Sequence, residues 1–247
     1  MPYLDRQSGE VVVRLVYDGA PSSGKTTNLQ ELTKLVSEQR LGEVSTGPFG
    51  ASTEYFEWLD FTGGYVDGHR VRCQLLGVAA QEHLKGRRRY LIERADVVVF
   101  VVDSDPAELE RAKRAFATTR EIAEARRLPL VVQANKRDLA QAISTEILRQ
   151  ELGLPTDAAL VAATASTSAG VMDTFVLAAR IVTDAARSSG VEALADLPAE
   201  EHSSQALHAH MEGLERRARE AKAREDAEKK AREDAEKKAR EDAEKKA

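Results

Sequence analysis

Apolar runs alternate with amphipathic stretches along the first 188 residues of the chain. Four runs are apolar at nearly every position, which is typical of strands that are buried on both faces of a sheet. They lie at 11–17, 95–102, 128–133 and 158–163. Three longer stretches, at 26–39, 107–125 and 171–186, have the spacing of helices. This order predicts an α/β fold with a mostly parallel sheet flanked by helices.

Two further segments are placed to form a β-hairpin. Residues 54–61 and 69–76 flank the pairs Gly63-Gly64 and Asp67-Gly68. Such pairs favour the tight turns that join antiparallel strands. We therefore expect one antiparallel pair of strands beside the parallel ones.

The end of the chain has a different pattern. The sequence Ala-Arg-Glu-Asp-Ala-Glu-Lys-Lys occurs at 223–230, 231–238 and 239–246. Acidic residues precede basic ones by four positions, which stabilises an isolated helix, but alanine at every fourth position gives no apolar seam for a coiled coil. We predict a domain over 1–188, a linker over 189–203 and a charged repeat helix over 204–247. The helix is interpreted as a solvated spacer, with a partner-binding or weakly self-associating helix as the alternative.

Composition and charge exclude several classes of protein. The formal net charge is −5, whereas a nucleic-acid binder needs a basic face. No apolar run approaches the roughly 20 residues that cross a bilayer, and the N-terminus lacks the pattern of a signal peptide. The single cysteine, Cys73, excludes an internal disulfide and a cysteine-only zinc site. We expect a cytoplasmic protein with no nucleic-acid partner and no membrane span.

A phosphate-binding pattern follows the first predicted strand. The run Gly19-Ala20-Pro21-Ser22-Ser23-Gly24-Lys25-Thr26 matches G-x-x-x-x-G-K-[ST] and opens the first predicted helix. Backbone N–H groups of such a loop face phosphate oxygens, Lys25 adds a cation, and the Thr26 hydroxyl is a candidate ligand of Mg²⁺. The residues expected to bind nucleotide here are Gly19, Ser22, Ser23, Gly24, Lys25, Thr26 and Thr27. The alternative is a glycine-serine turn with a solvated lysine.

A base-reading pattern, Asn135-Lys136-Arg137-Asp138, follows the predicted strand at 128–133. The Asp138 carboxylate can accept two hydrogen bonds from guanine, at N1–H and N2–H₂, and adenine offers no such pair. We expect Asn135 to tie this loop to the phosphate loop and the Lys136 stem to lie along the base. Thr164-Ala165-Ser166 follows the last predicted strand, where the Ala165 N–H is placed to reach guanine O6. A turn and a Ser/Thr-rich loop are the alternatives.

Five segments carry a resemblance to a known family. They are Val16-Tyr17-x-Gly19, Gly24-Lys25-Thr26-Thr27-Asn28-Leu29, Thr53-x-x-Phe56-x-x-Leu59, Val98-Val99-Phe100-Val101-Val102-Asp103-Ser104 and Gln133-x-Asn135-Lys136-Arg137-Asp138-Leu139. The chain resembles the small Ras-like GTPases, which have the P-loop NTPase fold, and in particular the MglA-type GTPases of bacterial gliding motility and cell polarity. The resemblance covers residues 10–188 and implies GTP or GDP with Mg²⁺, and a roadblock-fold protein as the activating partner.

The resemblance also assigns the two segments that sense the γ-phosphate. It implies that Thr53 binds Mg²⁺ and reads the γ-phosphate, and that Gln81 orients the attacking water as a catalytic residue, alongside Lys25. Gln81 and Glu82 match the family pattern. The alternatives are a surface threonine at a strand start and a polar residue on a solvated loop.

Three positions depart from the family pattern. Gly77 stands where Ras-like proteins carry an aspartate that holds Mg²⁺ through water, and Ala80 stands where a glycine donates its N–H to the γ-phosphate. Ser52 stands where MglA-type proteins tend to carry an arginine, and a catalytic arginine is worth roughly 10³–10⁵ in rate. We therefore expect slow intrinsic hydrolysis that a partner assists.

Two clusters beside these segments have open interpretations. The run Arg87-Arg88-Arg89-Tyr90 is interpreted as a solvated basic helix face, with a dock for an acidic partner as the alternative. Tyr55, Phe56 and Trp58 either form a partner surface or pack the sheet.

Two other functions compete with a GTPase. One is a nucleotide-binding scaffold that barely hydrolyses GTP, which Gly77, Ala80 and Ser52 would favour. The other is a P-loop kinase of a small molecule, against which the base-reading pattern at Asn135–Asp138 argues.

Overall fold

A computed structural model describes residues 2–39, 45–46, 56–78 and 85–196, with isolated positions between 206 and 224. Contacts divide the chain into a unit Met1–His202 and a unit Ser203–Ala247. The described positions of the second unit are helical. The division into three parts stays a prediction, and the following paragraphs concern the first unit.

One mixed sheet forms the centre of this unit. Its strands are β1 (Tyr3–Asp5), β2 (Glu10–Asp18), β3 (Ser45–Thr46), β4 (Phe56–Val66), β5 (His69–Val78), β6 (Val97–Asp103), β7 (Leu130–Asn135), β8 (Leu160–Ala162) and β9 (Ala195–Asp196). Their order across the sheet is β3-β4-β5-β2-β6-β7-β8. The neighbours from β5 to β8 run parallel, whereas β3, β4 and β5 pair antiparallel. The predicted mostly parallel sheet and the predicted hairpin are confirmed.

In the described part of this unit, five helices cover the two faces of the sheet. They are α1 (Lys25–Leu35), α2 (Lys85–Ile92), α3 (Leu109–Arg126), α4 (Thr145–Glu151) and α5 (Val171–Ser189). On one face, Val99 and Val101 share an apolar cluster with residues of α1 and α5. On the other face, Phe100 and Val102 share a second cluster with residues of α3 and α4. Adjacent residues of β6 thus enter opposite cores, which explains why positions 97–102 are all apolar.

The boundaries differ from the prediction in ways that hydrogen bonding explains. The first helix ends at Leu35, and a separate 3₁₀ turn follows at Ser37–Gln39. The strand expected at 128–133 lies two residues later, because Leu130 is the residue that pairs with Val98 of β6. In the hairpin, Asp67-Gly68 forms the turn, whereas Gly63-Gly64 lies at a register shift within β4.

The sequence analysis missed the short elements. β1 pairs antiparallel with the start of β2, and β9, inside the predicted linker, pairs parallel with β1. Strands of two or three residues and the seven-residue α4 are too short for hydrophobic periodicity to reveal. Within the described residues, no helix combines the length and the apolarity needed to cross a membrane.

Gly170 offers a matched test of how tightly the start of α5 packs. Gly170 and Gly9 have φ values of +72° and +71°, but a Cβ on Gly170 would lie 2.2 Å from Ala162 O, whereas one on Gly9 would meet nothing within 4 Å. We expect Gly9→Ala to lower the free energy of unfolding by about 1 kcal/mol and Gly170→Ala by more than about 2 kcal/mol. Urea unfolding measures both, and equal losses would contradict the packing argument.

Cys73 is expected to be chemically inert in the folded protein. Its side chain is buried, and burial raises the pKa of the thiol to about 12. Since the thiolate is the reactive form, a disulfide reagent at pH 8 should modify Cys73 slowly in native protein and rapidly in urea. Rapid modification of native protein, with unfolding excluded by circular dichroism, would show that the thiol is accessible.

Candidate nucleotide-binding site

The candidate site lies at the edge of the sheet where the parallel strands end. β2, β6 and β7 end at Asp18, Asp103 and Asn135, so their carboxyl ends meet at one edge. In open α/β sheets this edge is where ligands bind. The phosphate loop leaves β2 here and enters α1, as the sequence predicted.

Close approaches of the backbone fix the phosphate loop. Gly19 has φ +149°, and a Cβ there would lie 2.3 Å from Val101 O, so the position requires glycine. Lys25 is buried, and its Nζ donates to Gly19 O at 2.9 Å and to Ala20 O at 2.8 Å. Both acceptors are carbonyl groups at the start of the loop, so the loop itself fixes the position of the lysine ammonium group. Ser23 is buried, Pro21 and Ser22 are exposed, and Thr26 and Thr27 are half-buried in the first turn of α1.

Asn135 clamps the phosphate loop to two other loops. Its Nδ2 donates to Ser23 O at 2.9 Å, and its Oδ1 accepts from Ala165 N–H at 2.9 Å. A Cβ on Gly24, where φ is +105°, would lie 2.1 Å from the same Nδ2, so glycine is needed for this approach too. The predicted tie to the phosphate loop is present. The Ala165 N–H, expected for guanine O6, donates instead to Asn135.

The rest of the base-reading pattern presents one open carboxylate. Asp138 is exposed on the loop after β7. Lys136 has φ +61°, and its Nζ lies 2.6 Å from Asp103 Oδ2, so an ion pair anchors this long side chain. Thr164 is half-buried and Ser166 is exposed.

Comparison with known proteins identifies the family of this arrangement. The family model described as "ADP-ribosylation factor family" matches residues 4–185, which include the phosphate loop and the base-reading loop. The chain belongs to the ADP-ribosylation factor family. Members of this family are small GTPases, and the chain is therefore a GTP-binding GTP hydrolase.

Two relatives support this assignment. "Mutual gliding-motility protein MglA" of Myxococcus xanthus (strain DK1622) is 30% identical over 77% of this chain and 100% of its own length. "ADP-ribosylation factor-like protein 4C" of Homo sapiens is 31% identical over 58% of this chain and 69% of its own length. The first match confirms the resemblance to MglA-type GTPases.

Several predicted site residues lie outside the described residues. These are Ser52, Thr53, Tyr55, Ala80, Gln81 and Glu82. Gly77 is described: it lies near the end of β5, and its Cα pairs with that of Tyr17 on β2. Phe56 and Trp58 lie on β4, where their backbones pair with β5.

A buried polar triad beneath the site escaped the sequence analysis. Gln133 Nε2 donates to Asn28 Oδ1 and to Thr174 Oγ1, both at 2.9 Å, and all three residues are fully buried. Asn28 Nδ2 in turn donates to Gly24 O at 3.0 Å. The triad therefore joins the phosphate-loop helix, the base-reading strand and α5. Its signal in the sequence is a glutamine inside an otherwise apolar strand run.

The interpretation of the arginine cluster as a solvated face is wrong for two of its members. Arg87 is buried, and the guanidinium of Arg88 pairs with the buried Asp18, with Nη2 2.9 Å from Oδ2. Arg89 is exposed and pairs with Glu93 on its own helix. Helix periodicity alone did not show that an acidic partner on β2 faces this helix.

No metal cluster stands out in the described ranges: no group of three or more His, Cys, Asp or Glu side chains there could hold an ion.

Removal of the side-chain amide of Gln133 is expected to destabilise the folded protein. Gln133→Leu leaves Asn28 and Thr174 without their shared donor, at a cost of about 1–3 kcal/mol in the free energy of unfolding. Gln141→Leu is the control, because Gln141 makes only an exposed hydrogen bond to Asp105. Urea unfolding of both variants tests this, and equal losses would show that the triad adds nothing to stability.

Proposed function

We propose that this GTPase is a molecular switch that binds GTP or GDP with Mg²⁺ and hydrolyses GTP slowly, with a protein partner assisting. The observation that supports it best is the Asn135 clamp, with both hydrogen bonds at 2.9 Å. The clamp brings a loop suited to phosphates and a loop with an open carboxylate to one edge of the sheet. A guanine nucleotide has both of the groups that these loops would recognise.

Each residue has a chemical role in this proposal. Backbone N–H groups of the phosphate loop between Gly19 and Thr27, except at Pro21, which has none, bind phosphate oxygens, and Lys25 adds a cation at the β- and γ-phosphates. Asp138 accepts from guanine N1–H and N2–H₂, and the stem of Lys136 lies along the base. The segment Thr164-Ala165-Ser166 completes the binding site of the base.

The donor chemistry of the site fits Mg²⁺. The Thr26 hydroxyl follows Lys25 in the first turn of α1, and Thr53 would supply a second hydroxyl; both are oxygen ligands, the class that a hard cation such as Mg²⁺ takes. A bound Mg²⁺ supplies positive charge that neutralises the phosphates. Gly77 has no side chain with which to support the ion, which is one reason to expect slow hydrolysis.

The catalytic step is proposed to depend on Gln81, which would orient the attacking water. Ala80 keeps its backbone N–H but has less conformational freedom than glycine, and Ser52 supplies no cation. A partner would therefore supply or order catalytic groups, and the resemblance to MglA-type GTPases indicates a roadblock-fold activator. The name of the Myxococcus xanthus relative indicates gliding motility, and we place this chain in a related role in cell polarity or motility in the cytoplasm, with the helix at 204–247 as a spacer.

Gly77 also favours a second candidate, a nucleotide-binding scaffold with little hydrolysis. Its position beside Tyr17 brings the end of β5 next to the strand of the phosphate loop without any side chain that could act there. Hydrolysis assays with and without a roadblock-fold protein separate the two candidates. If no partner accelerates GTP hydrolysis and Gln81→Leu leaves its rate unchanged, the interpretation as a nucleotide-binding scaffold is correct.

Titration calorimetry with GDP, GTP and ATP in Mg²⁺ tests the proposed ligand. We expect binding of GDP and GTP and none of ATP, because Asp138 cannot pair with adenine. ATP binding comparable to that of GTP would favour a P-loop kinase.

Asp138→Asn is expected to change the base that is bound. Asparagine offers one donor and one acceptor where aspartate offers two acceptors, so the variant should match xanthine and lose affinity for GDP by about a hundredfold. Asp157→Asn is the control, since Asp157 is also exposed on a loop. Unchanged GDP affinity in Asp138→Asn would mean that Asp138 does not read the base.

A further inference from the structure

A buried carboxylate lies directly before the phosphate loop. Asp18 is the last residue of β2, the residue before Gly19, and its side chain has no exposed area. Arg88 of α2 donates to it through Nε, 2.9 Å from Oδ1, and through Nη2, 2.9 Å from Oδ2. The hydroxyl of Thr119 on α3 lies 2.5 Å from Oδ2. Two helices therefore hold this carboxylate.

The position of Asp18 makes its charge matter for phosphates. Adjacent residues of a strand face opposite sides: Tyr17 joins the apolar cluster that includes α1, and Asp18 faces α2 and α3. The Cα of Gly19 is only about 3.8 Å from that of Asp18, and Gly19 O accepts from Lys25 Nζ. The buried carboxylate of the residue before the loop is screened poorly, so without a counter-charge it would repel phosphates that the loop binds.

The pairing geometry shows how this charge is cancelled. An arginine that binds a carboxylate through two nitrogens forms one of the stronger ion pairs, with a defined geometry. The Arg88 side chain is itself only 13% exposed, and Nη2 also donates to Ala115 O. Water cannot reach the Asp18 carboxylate and reaches Arg88 only slightly, so each charge depends mainly on the other.

We propose that Arg88 is a positioning residue for the nucleotide: by pairing with Asp18 it cancels a negative charge beside the phosphate loop, so that the loop accepts a triphosphate. The pair also fixes α2 on the strand from which the loop leaves. This rests on the proposed function, because it assumes that the loop binds GTP and GDP. The benefit is larger for GTP than for GDP, since GTP carries more negative charge.

Opposite variants of the pair separate charge from packing. Arg88→Met leaves an uncompensated carboxylate, and we expect it to weaken GTP binding by about tenfold or more and GDP binding by less. Asp18→Asn leaves a cation instead, and GTP should bind at least as tightly as to the original chain. The double variant Asp18→Asn/Arg88→Met removes both charges and should restore the ratio of GTP to GDP affinity.

The measurement is fluorescence titration of the full chain with labelled GDP and a labelled non-hydrolysable GTP analogue. Arg89→Met is the matched control, since Arg89 lies on the same helix but makes an exposed pair with Glu93, and it should change neither affinity. If Arg88→Met does not fold, Asp18→Asn and the double variant still decide the matter.

Three results would overturn the proposal. One is wild-type affinity for both nucleotides in folded Arg88→Met. Another is an equal loss of GTP affinity in Asp18→Asn and Arg88→Met, which a purely structural role predicts. The third is a double variant with a reduced ratio of GTP to GDP affinity. Failure of the unmodified chain to bind either nucleotide would instead refute the proposed function itself, which keeps the two failures distinct.

Discussion

The carboxamide of Asn135 is the contact on which the candidate site depends. It binds Ser23 O with its nitrogen and Ala165 N–H with its oxygen, both at 2.9 Å, and it is buried at the end of β7. A buried backbone group that loses its partner costs about 1–3 kcal/mol, so the three loops are held in one arrangement. The glycine at position 24 is part of the same constraint, because any Cβ there would overlap the amide nitrogen.

A second polar layer extends this constraint into the interior. Gln133 lies two residues before Asn135 on the same strand and binds Asn28 of α1 and Thr174 of α5. Both helices pack on the same face of the sheet, in one apolar cluster. Polar contacts inside an apolar core allow fewer alternative packings than apolar contacts do, since each donor needs its acceptor. These contacts therefore fix the position of the phosphate-loop helix α1 relative to the base-reading strand β7.

The two faces of the sheet differ in the chemistry that reaches the site. On the face of α1 and α5 the triad beneath the site consists of neutral amides and a hydroxyl, whereas on the face of α2 and α3 a buried ion pair, Asp18 with Arg88, lies beside the phosphate loop. Membership of the ADP-ribosylation factor family accounts for the phosphate loop and the base-reading loop. The buried ion pair joins the residue before the phosphate loop to α2, a helix outside the loop. In this member of the family, the phosphate loop therefore lies next to a buried ion pair.

The sequence by itself determined the features that are local. Runs of apolar residues located the buried strands of the parallel sheet, and the glycines at 19 and 24 marked backbone positions that no side chain could occupy. It also placed the phosphate and base-reading loops after β2 and β7, because motif and strand are contiguous.

Only the tertiary structure decided which side chains meet. Arg88 lies 70 residues from Asp18, and Gln133 lies 105 residues from Asn28. Hydrophobic periodicity shows which face of an element is buried and not which residue lies opposite. For this reason the sequence predicts a solvated arginine at position 87, which the fold buries. The partner of the Ala165 N–H, Asn135, is likewise set only by the packing of the loops.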